Sequence, residues 1–147
     1  MELMPQLAFN GKCREAFEHY QKVLGGKITV MNTFGGNRDR ELPPGSVAAA
    51  PDKIRFAEFR VGNFAILGND LPDDRFEPMH GFNVALHTES TAEVRRIFGA
   101  LAEGGQITAP LTKVDWAALF GMVTDRFGTP WLILALDAEA TGEQQQS

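Results

Sequence analysis

The sequence predicts an α+β fold in which two βαβββ modules form a curved, mixed sheet around a cavity. The first observation is a repeat, because GGKIT at 25–29 returns as GGQIT at 104–108. The second is that an amphipathic helical segment precedes each copy, and the third is that a hairpin-like segment follows each copy. A repeated order of this kind is typical of one supersecondary unit used twice.

Both helices are predicted from apolar residues at steps of three and four. The first, CREAFEHYQKVL, covers 13–24 and ends at Gly25-Gly26, where glycine accepts the left-handed conformation of a helix end. The second begins after Ser90, which forms a capping-box pattern with Glu93. Its predicted apolar face consists of Val94, Ile97, Phe98, Leu101 and Ala102.

Strands are predicted where short apolar or β-branched runs flank the helices. After each helix we expect a strand, an irregular stretch and a hairpin, with glycine in the hairpin turn. The predicted strands and hairpins are QLAF (6–9), KITVMNTF (27–34), IRFAEFRVGNFAILGND (54–70), FNVALHT (82–88) and GMVTDRFGTPWLILAL (121–136). One helix covers only one face of a four-stranded sheet, so the other face is expected to meet the second module and enclose the cavity.

These elements predict one domain of 147 residues made of two modules, 4–70 and 81–137. The linker between the modules is 71–80, and the polar tail is 138–147. The first module also contains a long stretch rich in Gly and Pro, residues 35–52, of the kind that often acts as a lid or a partner contact.

Composition excludes several classes of protein. The net charge of −5 argues against nucleic-acid binding, which needs a basic stripe. No apolar run approaches the length of a membrane span, and the first residues lack the pattern of a signal peptide. The single cysteine, Cys13, excludes an internal disulfide and fits a reducing compartment, so we expect a cytoplasmic protein.

Three segments carry a resemblance to a known family. They are LAFNGKCREAFEHYQKVLGG (7–26), FAEFRVGN (56–63) and WAALFGMVTDRFGTPW (116–131). With the paired modules they are similar to the PhnB-like branch of the vicinal oxygen chelate superfamily, which includes glyoxalase I, extradiol dioxygenases and bleomycin and fosfomycin resistance proteins. The resemblance covers about residues 4–137 and implies a homodimer.

The resemblance also bears on metal binding. Metal-binding members of the superfamily use four His or Glu ligands from four strands. The corresponding places here fall near Pro5 or Gln6, Leu67 or Gly68, Phe82 or Asn83, and Trp131 or Leu132. None of these is a usual ligand for Ni, Zn, Mn or Fe, so the sequence predicts no divalent metal and no other cofactor.

Glu58 is the candidate catalytic residue. Strand alternation puts Phe56, Glu58 and Arg60 on one face. If that face lines an apolar cavity, the pKa of Glu58 would be raised and Glu58 would be a candidate general base. If the face is solvated, Glu58 and Arg60 are surface charges.

Aromatic side chains are the candidate walls of the cavity, although at such positions they also commonly form core. The candidate ligand-binding residues are Phe9, Phe56, Asn69, Trp116, Phe120 and Trp131. His80 and His87 would serve a relocated metal site, or are an ordinary linker and strand histidine. Asp125 is expected to bond the amides of the turn that follows it, and Cys13 is either a thiol activated at a helix start or a buried, inert one.

The sequence leaves three hypotheses about function. The first is a protein that binds a small apolar or aromatic molecule without a divalent metal. The second is a lyase, isomerase or dioxygenase that uses a relocated metal or Glu58. The third is an interaction or regulatory protein that binds a partner through residues 35–52.

Overall fold

A computed structural model describes residues 1–37 and 41–136, so the predicted tail 138–147 lies outside the described residues. Backbone contacts divide the chain into two compact units, Met1–Pro78 and Met79–Ser147. The elements of the first unit are β1 (Gln6–Phe9), α1 (Cys13–Leu24), β2 (Lys27–Thr33), a 3-10 turn (Gly35–Asn37), β3 (Ile54–Val61) and β4 (Phe64–Asp70). Those of the second are β5 (Val84–Thr88), α2 (Thr91–Ala102), β6 (Gln106–Val114), β7 (Ala117–Thr124) and β8 (Pro130–Ala135).

Each unit contains one four-stranded mixed sheet, and the strand orders correspond. The order is β1-β4-β3-β2 in the first unit and β5-β8-β7-β6 in the second. The first strand of each unit pairs in parallel with the last, and the other pairs are antiparallel. The predicted α+β class and the two βαβββ modules are confirmed. Each module has its own sheet, and neither sheet closes into a barrel. Neither α1 nor α2, the α-helices of the described residues, is long and apolar enough to cross a bilayer.

The helix of each unit packs on one face of its own sheet. In the first unit the Phe17 ring of α1 lies 6.0 Å from Phe9 and 6.2 Å from Phe59, in edge-on or tilted contacts. Gly68 of β4 lies beneath that ring, where an added Cβ would be 2.6 Å from Phe17 Cζ and 2.9 Å from Cys13 Sγ. A side chain at position 68 would therefore force α1 away from the sheet.

The repeated glycine pairs have two different physical functions. Gly25 and Gly104 adopt φ of 74° and 70°, which glycine accepts without strain. The second glycine of each pair approaches backbone too closely for any side chain, because an added Cβ would lie 2.3 Å from the Arg60 oxygen at Gly26 and 2.3 Å from the Thr124 oxygen at Gly105. The repeat thus marks the point where each unit returns from its helix to its sheet.

The second unit differs from the prediction in three details. The capping box is half formed, because Ser90 Oγ accepts the Glu93 amide at 3.1 Å whereas the Glu93 carboxylate pairs with Arg96 at 2.7 Å. The stretch expected to be irregular is mostly strand, because β6 continues to Val114 through several irregular pairings that keep it on β7. Phe120 accordingly lies inside β7.

A buried carboxylate connects three elements of the first unit. Asp70, at the end of β4, accepts the Cys13 amide at 2.9 Å and the Ile54 amide at 2.8 Å. Lys12 occupies the N-cap position of α1, and its side chain does not cap the helix. Asp70 instead supplies the hydrogen-bond acceptor and the negative charge that stabilise the start of α1. Asp70 therefore fixes the start of α1 and the start of β3 relative to the end of β4.

We expect Asp70→Asn to lower the free energy of unfolding by roughly 2 kcal/mol, because the amide nitrogen of Asn cannot accept from a buried backbone donor. Urea denaturation followed by circular dichroism measures this. Asp73→Asn is the matched control, because Asp73 is exposed and its substitution should change little. Equal stabilities for the two variants would show that the Asp70 bonds contribute nothing net.

Candidate functional site

The first unit contains a pocket of about 490 Å3, a size suited to a small organic ligand. Its walls come from the sheet face opposite α1, from the segment after β4 and from the loop between β2 and β3. The lining residues are Gln6, Phe34, Leu42, Pro43, Gly45, Ser46, Val47, Arg55, Phe56, Asn69, Leu71 and Arg75. Half of these described residues have apolar side chains, and none of the twelve is acidic.

Two bonds close the base of the loop that contributes to the pocket. The Phe34 amide donates to the Lys53 oxygen at 3.0 Å, and the Gly35 amide donates to the Pro51 oxygen at 2.8 Å. The loop therefore leaves the sheet and returns to it at one place, and residues 42–47 of this loop contribute to the pocket wall. Residues 38–40 of this loop lie outside the described residues.

Two of the candidate ligand-binding residues meet in this pocket, Phe56 of β3 and Asn69 of β4. Gln6 of β1 adds a third side chain on the same sheet face, and its Nε2 donates to Asn69 Oδ1 at 3.1 Å. An apolar ring beside a pair of amides gives the wall both a packing surface and hydrogen-bonding groups.

An irregularity in the sheet brings Arg55 into the pocket beside Phe56. Asn32 pairs with Phe56, but the next residue of β2, Thr33, pairs with Ile54, so the ladder skips Arg55. A residue skipped in this way is released from strict alternation, and bulges commonly redirect a side chain. Arg55 and Phe56 therefore both line the pocket although they are neighbours in one strand.

Glu58 lies on the same face of β3, where its neighbours are polar. Arg60 Nε donates to Glu58 Oε2 at 3.0 Å, and the Thr29 hydroxyl donates to the same oxygen. These bonds lower the pKa of Glu58, and the bond from Arg60 contributes most, whereas the general-base hypothesis requires a raised pKa. The Glu58 side chain is 17% exposed and forms an ion pair with Arg60. Its setting is therefore intermediate between an apolar cavity and a solvated surface, the two alternatives that the sequence left open.

The second unit brings together two other candidates. Trp116, in the turn before β7, is 48% exposed, and its ring lies 5.0 Å from that of Phe120 in an edge-on contact. Phe120 points away from α2, because Leu119 and Gly121 on either side of it face the helix. The cavity that the sequence predicts between the modules stays a prediction.

Phe9 and Trp131 do not belong to an open sheet face. Phe9 is fully buried beneath α1, and Trp131 is 2% exposed on the face that α2 covers. Trp131 pairs with Val123 and faces α2 because Ile133, two residues later in β8, pairs with the helix-contacting Gly121. Both aromatic residues are core side chains, which alternation along β1 and β8 explains.

Asp125 bonds the turn between β7 and β8, as expected. Its Oδ1 accepts the Phe127 amide at 2.9 Å and the Thr129 amide at 3.0 Å. Its Oδ2 accepts the indole N–H of Trp131 at 2.9 Å, a contact that the sequence did not predict.

Cys13 is buried, and burial is the largest cause of its raised pKa. Of the two alternatives, an activated thiol at a helix start and a buried, inert thiol, the structure therefore favours the inert thiol.

The places that the resemblance would assign to metal ligands do not fit a metal ion. In the first unit the Gln6 amide is bonded to Asn69, and Gly68 lacks a side chain. In the second unit Phe82 and Asn83 lie before β5, and Trp131 is in the core. His80 and His87 are both exposed, and no three His, Cys, Asp or Glu residues within 1–37 and 41–136 are grouped as a metal site would require.

Sequence reasoning missed several residues of the pocket. Phe34, Arg55, Leu71 and Arg75 are not among the candidate residues, and the segment 42–47 enters only as part of the predicted lid or partner contact 35–52. Gln6 enters only as the place of a lost metal ligand. The available signal for Arg55 is its position directly before the candidate residue Phe56, at the start of β3.

Comparison with known proteins agrees with the geometry of the fold. A family model described as 3-demethylubiquinone-9 3-methyltransferase matches residues 1–134. Protein YjdN of Escherichia coli strain K12 is 30% identical over 146 residues, which cover 96% of this chain and 99% of YjdN. The chain therefore belongs to this PhnB-like family.

Solved structures share the fold. Protein PA1353 from Pseudomonas aeruginosa is 42% identical, with a TM-score of 0.81 and coverage of 92% of this chain and 98% of PA1353. A putative 3-demethylubiquinone-9 3-methyltransferase, PhnB protein, from Bacillus cereus has 21% identity, a TM-score of 0.75 and coverage of 92% and 99%. A glyoxylase/bleomycin resistance protein/dioxygenase domain from Frankia sp. EAN1pec shares the fold at 13% identity, with a TM-score of 0.61 and coverage of 93% and 98%.

The environment of Glu58 leads to a titration prediction. We expect its carboxyl to titrate below the ordinary glutamate range, because Arg60 and Thr29 bind the ionised form. A depressed folded-state pKa stabilises the fold above the unfolded pKa, and this stabilisation is lost as the pH falls through the folded value. Carboxyl 13C NMR measures the midpoint. Arg60→Gln should move it upward, whereas Arg95→Gln, an exposed substitution on α2, should not.

Proposed function

We propose that the protein binds a small, largely apolar or aromatic molecule in the pocket of the first unit, without a divalent metal. The observation that supports this proposal is the composition of that pocket. About 490 Å3 of space adjoins the rings of Phe34 and Phe56, and the amides of Gln6 and Asn69 lie within the same wall. Half of the lining side chains are apolar and polar groups converge on the same space, so the pocket offers both packing surface and hydrogen-bonding groups, as small-molecule sites do.

Each part of the wall has a distinct role in this proposal. The Phe56 ring supplies a flat apolar surface, and such surfaces favour an aromatic partner through burial and offset stacking. The linked amides of Gln6 and Asn69 orient the ligand, because amides that bond each other hold a fixed geometry. Residues 42–47 supply a further part of the wall from the loop between β2 and β3.

The surroundings of Glu58 favour binding over catalysis by this residue. A base must accept a proton near neutral pH, and bonds that stabilise the ionised carboxylate lower its basicity. Glu58 instead neutralises Arg60 on the same strand. The proposal accordingly assigns no chemical step to Glu58.

The proposal includes a homodimer and a cytoplasmic setting. The pairing of two chains is what the resemblance to the superfamily implies, and light scattering on the purified protein tests it, with about twice the mass of the chain as the expected result. A reducing cytoplasm is consistent with the buried thiol of Cys13, which needs no disulfide partner.

The binding proposal predicts that neutral aromatic compounds such as indole and 2-naphthol raise the melting temperature of the protein. Phe56→Ala should weaken their binding about 10-fold, because one buried aromatic contact is lost. Phe64→Ala is the matched control, since Phe64 is 81% exposed at a hairpin end. Calorimetry measures both affinities, before and after dialysis against EDTA.

Two results would contradict the proposal. Equal affinities for the Phe56→Ala and Phe64→Ala variants would place binding elsewhere. Loss of binding after EDTA treatment, with recovery on addition of Ni, Zn, Mn or Fe(II), would contradict the metal-free part.

A further inference from the structure

The charge of the pocket is opposite to that of the chain. The net charge of the chain is −5, yet among the described residues the ionisable groups that line the pocket are two arginines, Arg55 and Arg75, with no acid. An acidic protein with a cationic pocket attracts anions locally while repelling them elsewhere. The contrast points to a negatively charged group on the ligand.

Arg55 is the stronger of the two candidate anion partners. Arg75 lies at the rim with a side chain 61% exposed, and its Nε is 4.0 Å from Asp74, so part of its charge is already matched by a solvated neighbour. Arg55 is half-buried, and within the described residues its side chain forms no ion pair or hydrogen bond. A half-buried guanidinium without a protein partner favours an external anion.

The local backbone provides a second, independent indication. The irregular pairing of β2 and β3 omits Arg55 from the ladder, although continuous pairing would have turned its side chain toward the face that α1 covers. A bulge gives up ladder bonds, and its common result is a redirected side chain. Here the redirected side chain is that of Arg55, which lines the pocket.

Asn69 supplies another donor at the same wall. Its Oδ1 accepts from Gln6, and its Nδ2 group finds no acceptor in the part of the chain that the structure describes. A guanidinium and a primary amide together offer planar N–H donors, and planar donors match a carboxylate better than a spherical anion.

We propose that the pocket prefers a monocarboxylate with an apolar or aromatic body, with the carboxylate on Arg55 and Asn69 and the body against Phe56. This inference rests on the proposed function, because it names the ligand class of the same pocket. One unpaired arginine matches one negative charge. A volume of about 490 Å3 accommodates one or two fused rings with a short acid arm.

The test compares acids with their neutral amides on the full-length protein. The ligand pairs are phenylacetate with phenylacetamide and 1-naphthylacetate with 1-naphthylacetamide, which have nearly the same shape. NMR titration of 15N-labelled protein follows the Arg55 Nε–H and the side-chain amides of Asn69 and Gln6. We expect each acid to bind at least about 10-fold more tightly than its amide, with the largest shifts at Arg55 and Asn69.

Three variants test whether Arg55 is the group that binds the carboxylate. Arg55→Gln should weaken acid binding roughly 10- to 100-fold and change amide binding less than about twofold, because only the charged bond is lost. Arg55→Lys should lie between, since it keeps the charge and loses the planar fork. Arg14→Gln removes the same charge from the exposed side of α1 and should leave both affinities unchanged.

The outcomes separate this inference from the proposed function. Equal binding of acid and amide at the pocket resonances, or an Arg55→Gln variant that binds acids normally, would overturn the carboxylate preference and leave pocket binding intact. Absence of any shift at Arg55, Asn69 and Gln6 with all four compounds would overturn both. If Arg55→Gln fails to fold, the acid and amide comparison on the unmodified protein decides alone.

Discussion

The hydrogen bonds of one buried carboxylate determine how the first unit is assembled. Asp70 ends β4 and accepts from the first residue of α1 and from the first residue of β3, so three elements that are distant in sequence meet at one side chain. The pocket depends on the same junction. Asn69 and Leu71 flank Asp70, and Arg55 and Phe56 follow Ile54, so each bond of Asp70 lies next to residues of the pocket wall. The interaction that stabilises the helix also aligns the two chain segments that would contact a ligand.

The two units share a backbone plan but satisfy the start of their helices differently. In α2 the cap is local, because Ser90 accepts the amide of Glu93 three residues later. In α1 the cap comes from Asp70, 57 residues along the chain from Cys13. A local cap forms with its helix, whereas a distant cap requires the sheet to be in place. The helix of the first unit is therefore coupled to its sheet more directly than the helix of the second unit.

The sequence predicted features that depend on neighbouring residues, and it did not predict features that depend on residues far apart in the chain. Helix α1 was predicted at Cys13–Leu24, its observed bounds, because apolar periodicity and the terminal glycines are short-range signals. Alternation also placed Glu58 with Phe56 and Arg60 correctly. It could not identify Arg55 as a pocket residue, because the irregular pairing with β2 interrupts the alternation. The lowered pKa of Glu58 likewise depends on Thr29 of a neighbouring strand, and the role of Asp70 depends on two distant amides.

The burial of the aromatic residues has an optical consequence. Both tryptophans, Trp116 and Trp131, belong to the second unit, while the single tyrosine, Tyr20, is buried in the first. Indole emission therefore arises only from the unit without the described pocket. Trp116 is half-exposed and accessible to a dissolved quencher, whereas Trp131 is enclosed and bonded to Asp125. The second unit thus carries one accessible and one enclosed indole as internal labels, and the unit that contains Arg55 and Phe56 is available for a newly introduced fluorophore.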